Sequence, residues 1–209
     1  MKVWDLPTRL YHWLQAILFT LLALSGFNGG GPHIAFGLAL FALLLWRISW
    51  GIVGSDTSRF AQFIHSPRIV ISYLKGKYRS KPGHNPAGAL MVFSLLTILT
   101  LQCLSGLALT GWFDNFSMLG SILDEPFYST AENVHLFTAK ALMGLVFTHL
   151  AAIFFYKLRN KPLVLAMVTG KQQNNIEMPS VALHFASNIK ALVLFVAALS
   201  VTMAIVASL

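Results

Sequence analysis

Cysteine is almost missing from this chain: Cys103 is the only one in 209 residues. A single thiol excludes an internal disulfide, a thiolate cluster for iron–sulfur and the Cys-x-x-Cys-His attachment of a covalent haem. Cys103 itself reads as a small packing residue. Charge is also scarce, at 11% of residues, with seven acidic side chains against fifteen basic ones. The long apolar runs hold no central carboxylate, which weighs against a transporter whose ligands converge at the membrane midplane. The first run lacks the short small-residue cleavage pattern of a signal peptide and carries His12 and Trp13, so it reads as a retained helix.

Apolar residues fill the space that charge leaves. The chain is 56% hydrophobic with a mean hydropathy of +0.68, far from a soluble domain. Runs long enough to cross a hydrocarbon core of ~30 Å occupy residues 10–27, 34–53, 87–110, 133–156 and 182–207. The expected fold is therefore all-α, an integral membrane helix bundle of five spans. Lys and Arg set its orientation. Lys2 and Arg9 precede the first run. Arg47, Arg59, Arg68, Lys75, Lys77, Arg79 and Lys81 lie between the end of the second and the third, and Lys157, Arg159, Lys161 and Lys171 follow the fourth. The opposite side has Asp114, Asp124, Glu125 and Glu132 and no Lys or Arg. The positive-inside rule then places the N-terminus in the cytoplasm and the C-terminus in the periplasm. The formal charge of +8 is topology and attraction to anionic membrane lipid, which leaves no call for nucleic acid.

The fourth run carries His135 and His149, fourteen residues or almost four turns apart, so both imidazoles leave one face at depths ~21 Å apart. Ionisable groups inside a span are costly and usually find partners. His12 lies at the cytoplasmic depth, and His33, at the start of the second run, lies at the outer depth. Alone, His12 beside Trp13 reads equally well as an interfacial belt residue. Two pairs in two layers favour bis-histidine haem ligation over satisfied core histidines.

Other polar residues carry two readings each. Arg47, fourteen residues after His33, is a cytoplasmic anchor with Trp46 and Trp50 or a salt bridge to a haem propionate. His84 and Asn85, before Pro86, form a helix cap or contact a propionate or quinone. His184 and Lys190 border a quinone headgroup, or Lys190 snorkels to the surface. Lys140, placed by position inside the fourth run between the histidines, raises the potential of a nearby haem. Arg9 joins these as a candidate propionate or quinone contact. Ser25, Gly26, Gly37, Gly88 and Gly106 leave room for a flat ligand or for helix packing. Residues 67–77, within the cytoplasmic loop 54–86, read as a short helix lying on the membrane surface.

Several segments together resemble the bacterial cytochrome b561 family, which includes the b-type cytochrome subunits of nickel–iron hydrogenases. They are Val3-Trp-Asp-Leu-Pro-Thr-Arg-Leu-Tyr-His-Trp13, the His33 helix ending Trp46-Arg-Ile-Ser-Trp-Gly51, Ser66-Pro67-Arg68, Gly83-His-Asn-Pro-Ala-Gly-Ala89, and His135 with His149. The resemblance spans roughly residues 3–171. It implies a four-helix dihaem core in which His12, His33, His135 and His149 match the haem ligands, with quinone as one redox partner. Residues 1–171 then form the core, and 172–209 add a linker and a fifth helix outside the resemblance. Two non-covalent haem b groups are expected, in the bacterial inner membrane. The expected function is electron transfer between the quinone pool and a periplasmic c-type cytochrome or a catalytic redox subunit, from a single chain or a homodimer. The alternatives are a haem-containing anchor subunit of a hydrogenase-like or reductase complex, and a histidine-based metal transporter.

Overall fold

Five long helices form the bundle in the computed structural model, which describes every residue except 29, 30, 79, 81, 121 and 173–181 and, at Ser117, only the backbone. Gly29 and Gly30 of the outer turn, Arg79 and Lys81 of the basic loop, and residues 173–181 of the linker lie outside the described residues. The spans are α1 (Leu6–Asn28), α2 (His33–Val53), α5 (Pro86–Leu109), α6 (Glu125–Leu158) and α8 (Asn188–Ala207), all long and apolar enough to cross a membrane. Shorter helices fill the basic end of the bundle, the side expected to be cytoplasmic and named so below, opposite the end named outer: α3 (Phe60–Phe63), α4 (Pro67–Leu74) and α7 (Leu163–Thr169).

Helix starts follow local capping chemistry. Asp5 accepts the Thr8 N–H at 2.7 Å and begins α1 four residues before the apolar run, with Pro7 in the first turn. Asn85 Oδ1 accepts from Gly88 N at 2.8 Å and starts α5. Asp124 accepts from Phe127 N at 3.0 Å, so α6 begins eight residues before the expected span. At 34 residues, α6 is ~51 Å long and exceeds the hydrocarbon core. Its first turns carry Glu125 and Glu132, which shortens the acidic loop.

The fifth span starts later than expected. Residues 182–187 are not helical, and Ser187 caps α8 through Lys190 N at 3.2 Å. The upstream backbone is claimed by the loop after α2: His184 N donates to Asp56 Oδ2 at 2.8 Å and Ala186 N to Ser55 Oγ at 3.0 Å. His184 therefore stands outside the helix it was expected to open.

The bundle is built around α2, which packs on α1, α5 and α8, whereas α6 packs chiefly on α5. Trp46 and Trp50 stack with ring centres 5.5 Å apart and are 4% and 0% exposed. Each indole finds an acceptor, Trp46 Nε1 at Ala191 O (2.9 Å) in α8 and Trp50 Nε1 at Asp5 Oδ2 and Thr8 Oγ1 (both 3.2 Å). These two tryptophans are core residues; the interfacial reading of them fails because α1 and α8 cover both. The N-terminal segment closes the basic end of the bundle, with Val3 N and Trp4 N donating to Gly170 O at 2.8 and 3.1 Å and Thr57 Oγ1 donating to Val3 O at 2.8 Å.

Candidate functional site: two imidazole pairs

Because α6 leans on α5 and α1 on α2, a slot is left between the two helix pairs, and all four histidines of interest face it. His12 of α1 meets His149 of α6 with ring centroids 6.5 Å apart and planes at 54°. His33 of α2 meets His135 of α6 at 6.3 Å and 77°. A metal–imidazole bond of ~2.0 Å, with ~1.1 Å from ring nitrogen to ring centre, puts the centroids of two trans imidazoles ~6.2 Å apart. Each gap would therefore accept one metal ion held by a nitrogen of either ring. Among the described residues no group of three or more His, Cys, Asp and Glu side chains converges on a point, so each pair supplies two ligands only. Two axial nitrogens fit a metal whose remaining positions come from a macrocycle.

The outer pair lies in a cavity of about 630 Å³, within the size range of small-molecule sites, with a largely apolar lining. Gly26, Gly37, Gly106 and Lys140 line it with the two histidines. A Cβ at Gly106 would stand 3.0 Å from His135 Cε1, and one at Gly26 would stand 3.3 Å from His33 Cε1. The missing side chains make room for the imidazoles themselves, so Gly106 is spent on a ligand ring more than on a porphyrin edge. Gly37 faces open space, as the sequence suggests, while a Cβ at Gly88 would stand 3.3 Å from the Asn85 oxygen that caps α5.

Both outer imidazoles are hydrogen-bonded through Nδ1. His33 Nδ1 lies 2.8 Å from Ser25 Oγ, which itself donates to Leu22 O at 3.1 Å. Since the hydroxyl proton is committed to Leu22, the His33 proton sits on Nδ1 and leaves Nε2 as the free base. His135 Nδ1 lies 3.2 Å from both Ser105 Oγ and Gln102 O, and Ser105 Oγ donates to Gln102 O at 3.1 Å, which fixes the same tautomer. The Gln102 amide nitrogen stands 3.0 Å from His135 Nε2, and Thr138 Oγ1 donates to Gln102 Oε1. Gln102 and Thr138 escaped the sequence reading. The signal was that Gln102 is the one amide side chain in the whole third run.

The cytoplasmic pair has no such partners. The Nδ1 of His12 is enclosed without a hydrogen bond, and His149 makes none among the described residues. Arg47, fourteen residues along α2 from His33, is 4% exposed, so it does not snorkel as a surface anchor. Its Nη1 donates to Ser58 O at 3.3 Å and its guanidinium lies 5.0 Å over the Phe60 ring, but among the described residues it has no carboxylate partner. His84 packs edge-on against Trp4 (4.7 Å) and beside Phe63 (4.5 Å), with Nδ1 enclosed and unpartnered. Burial, then the Arg47 charge, push its pKa down from 6.5 to about 3, although a hydrogen bond with the Thr57 backbone opposes them.

Other candidates have structural work. Arg9 donates to Val168 O at the end of α7. Asn85 caps α5 and donates to Tyr156 OH at 3.2 Å, which pairs with Tyr73 OH at 2.8 Å and ties α4 to α6. Lys190 Nζ donates to Val53 O at 2.8 Å, where it satisfies an end carbonyl of α2. Lys140 corrects another expectation. It is exposed rather than buried, because α6 turns it to the open wall of the cavity, and it has no hydrogen bond or ion pair among the described residues.

A multi-pass helical bundle with two imidazole pairs stacked in depth defines a membrane b-type cytochrome class. Residues 3–170 match the model of prokaryotic cytochrome b561, and the chain belongs to that family. Haem b is the cofactor the family implies, and the residues present fit it. The chain is also similar to a protein of Azotobacter vinelandii named a probable Ni/Fe-hydrogenase B-type cytochrome subunit, 23% identical over 173 residues, covering 64% of this chain and 70% of that one. A Rhizobium leguminosarum bv. viciae protein of the same name is 24% identical over 51% of this chain and 58% of its own length. The corresponding hydrogenase 1 subunit of Escherichia coli K12 is 23% identical over 63% of this chain and 70% of its own. No solved structure matches.

Proposed function

We propose that this chain is a dihaem cytochrome b of the bacterial inner membrane that exchanges electrons between the quinone pool and a redox partner on the outer side. The observation that carries the reading is the pair of centroid distances, 6.5 and 6.3 Å, each the spacing of two axial imidazoles. When bound, haem would supply one-electron chemistry, and His12 with His149 and His33 with His135 would hold it. The chain holds the two sites apart in depth: His12 and His149 on the cytoplasmic side, His33 and His135 on the outer side. Residues 1–171 form this core, and 172–209 add the linker and the helix that covers α2.

The chain's own charges suit the carboxylates of such a ligand. Arg47 is a desolvated cation that feels the nearby Asp5 carboxylate but has no carboxylate in ion-pair contact among the described residues, and a propionate would supply that contact on the cytoplasmic side. Lys140 offers an ammonium to the outer cavity. The outer ends of the helices and the loop between them carry Asp114, Asp124, Glu125 and Glu132, a surface whose charge suits a cationic periplasmic carrier. The hydrogenase names of the relatives support a second version of this reading, in which that surface seats a catalytic subunit and the chain works within its complex. The histidine-based transporter lacks a convergent ligand set among the described residues.

A reduced-minus-oxidised spectrum with a pyridine haemochrome assay tests the reading. Two b haems per chain are expected, with one lost in His149→Ala and the other in His33→Ala. A haem-free protein would overturn it, as would both variants losing the same haem.

A further inference from the structure

The two imidazole pairs are alike in spacing and unlike in what holds them. In the outer layer, Ser25 accepts from His33 Nδ1 at 2.8 Å, and Ser105 with the Gln102 carbonyl accepts from His135 Nδ1 at 3.2 Å. In the cytoplasmic layer, neither imidazole has an acceptor among the described residues, and the buried Arg47 lies on the same side of the bundle. An acceptor on the distal N–H of a ligating imidazole makes the ring more basic and fixes its orientation. A more basic ligand favours the more positive, oxidised metal. A desolvated cation favours the reduced one.

We propose that Ser25 and Ser105 are positioning residues that hold the outer site at a lower midpoint potential than the cytoplasmic site, so that an electron entering from the outer face runs downhill across the membrane. This rests on the dihaem reading. Ser25 is the decisive one, since it is the one hydrogen-bond partner of His33 Nδ1 among the described residues, whereas His135 keeps the Gln102 carbonyl when Ser105 is removed. Gly26 strengthens the arrangement, because a Cβ there would press on the ring that Ser25 orients.

Reductive potentiometry of the purified protein tests this, with the outer transition identified as the one that disappears in His33→Ala. The wild type should show two b-haem transitions, the outer one at the lower potential. Ser25→Ala should shift the outer reduction equilibrium towards the reduced form by about threefold to tenfold, the worth of one hydrogen bond, and Ser105→Ala by less. Ser25→Thr, which keeps the hydroxyl, should restore the wild-type value. A merely structural serine would alter haem content without moving the midpoint. The proposal is overturned if both haems are present and Ser25→Ala leaves the outer midpoint in place, or moves the cytoplasmic one instead. Fewer than two haems in the wild type would overturn the dihaem reading itself.

Discussion

The outer and cytoplasmic layers of the slot use the same side chain twice and surround it differently. The outer imidazoles stand in an open apolar cavity, each hydrogen-bonded to a serine. The cytoplasmic imidazoles have no hydrogen bonds among the described residues and lie near a polar plate made of Arg47, His84, Thr57 and the N-terminal segment. Ligand spacing is thus a property of the helix pairs, while the character of each site comes from the neighbours of the ligands. On the dihaem reading, shared spacing with unlike surroundings would let one bundle hold two electronically different sites.

Removing Arg47 should break the comparison most severely. In Arg47→Met the buried guanidinium that would face a propionate is gone, and loss of one member of a buried charged pair costs about 3–5 kcal/mol. Haem content should fall by half, with the cytoplasmic haem lost and the outer one retained in the pyridine haemochrome and difference spectra. Equal loss from both layers would mean that Arg47 supports the fold rather than one site.

Gly106→Val should do the reverse. A Cβ already comes to 3.0 Å from His135 Cε1, and the branched side chain adds to the clash. Outer haem occupancy should drop severalfold while the cytoplasmic haem stays. Lys140→Met sharpens the contrast by a smaller amount. Removing an ammonium from the outer cavity wall should lower the outer midpoint, widen the gap between the layers and leave the cytoplasmic midpoint unmoved in potentiometry. Unmoved potentials at both sites would remove Lys140 from the outer site.

The smallest effect concerns acid. His84 has a folded pKa of about 3 against 6.5 in the unfolded chain, so the unfolded state takes up a proton first as pH falls. Stability is fully present above the unfolded value and is lost as pH drops from there towards about 3. Thermal melting in detergent should therefore fall between about pH 7 and about pH 5, and His84→Gln should flatten that slope. A slope unchanged in the variant would assign the acid response to other groups.

Much of this was legible in one dimension. The five spans follow from hydropathy, and α4 and α5 start where Pro67, Asn85 and Pro86 say they should. Helix ends were less legible: α6 gained two turns from an aspartate cap, and α8 lost its expected first residues to hydrogen bonds with Ser55 and Asp56. The placing of the histidines at two depths was legible, since a helix converts sequence separation into distance along its axis. Lys140, Trp46 and Trp50 were misplaced because burial depends on which neighbouring helix covers a face.

By itself, then, the sequence determined that the chain is a bundle of membrane spans, which side of each span is basic, and that four imidazoles occur at two depths. These are local or additive properties of apolar length, charge and helical rise. Only the tertiary structure decided that His12 faces His149 and His33 faces His135, that Arg47 is buried with no carboxylate in ion-pair contact among the described residues, and that Ser25 and Ser105 hold one pair while no described side chain hydrogen-bonds the other. Those contacts join residues from different helices, up to 145 positions apart for Trp46 and Ala191, and depend on how helices lean on one another. No periodicity within a single helix encodes that.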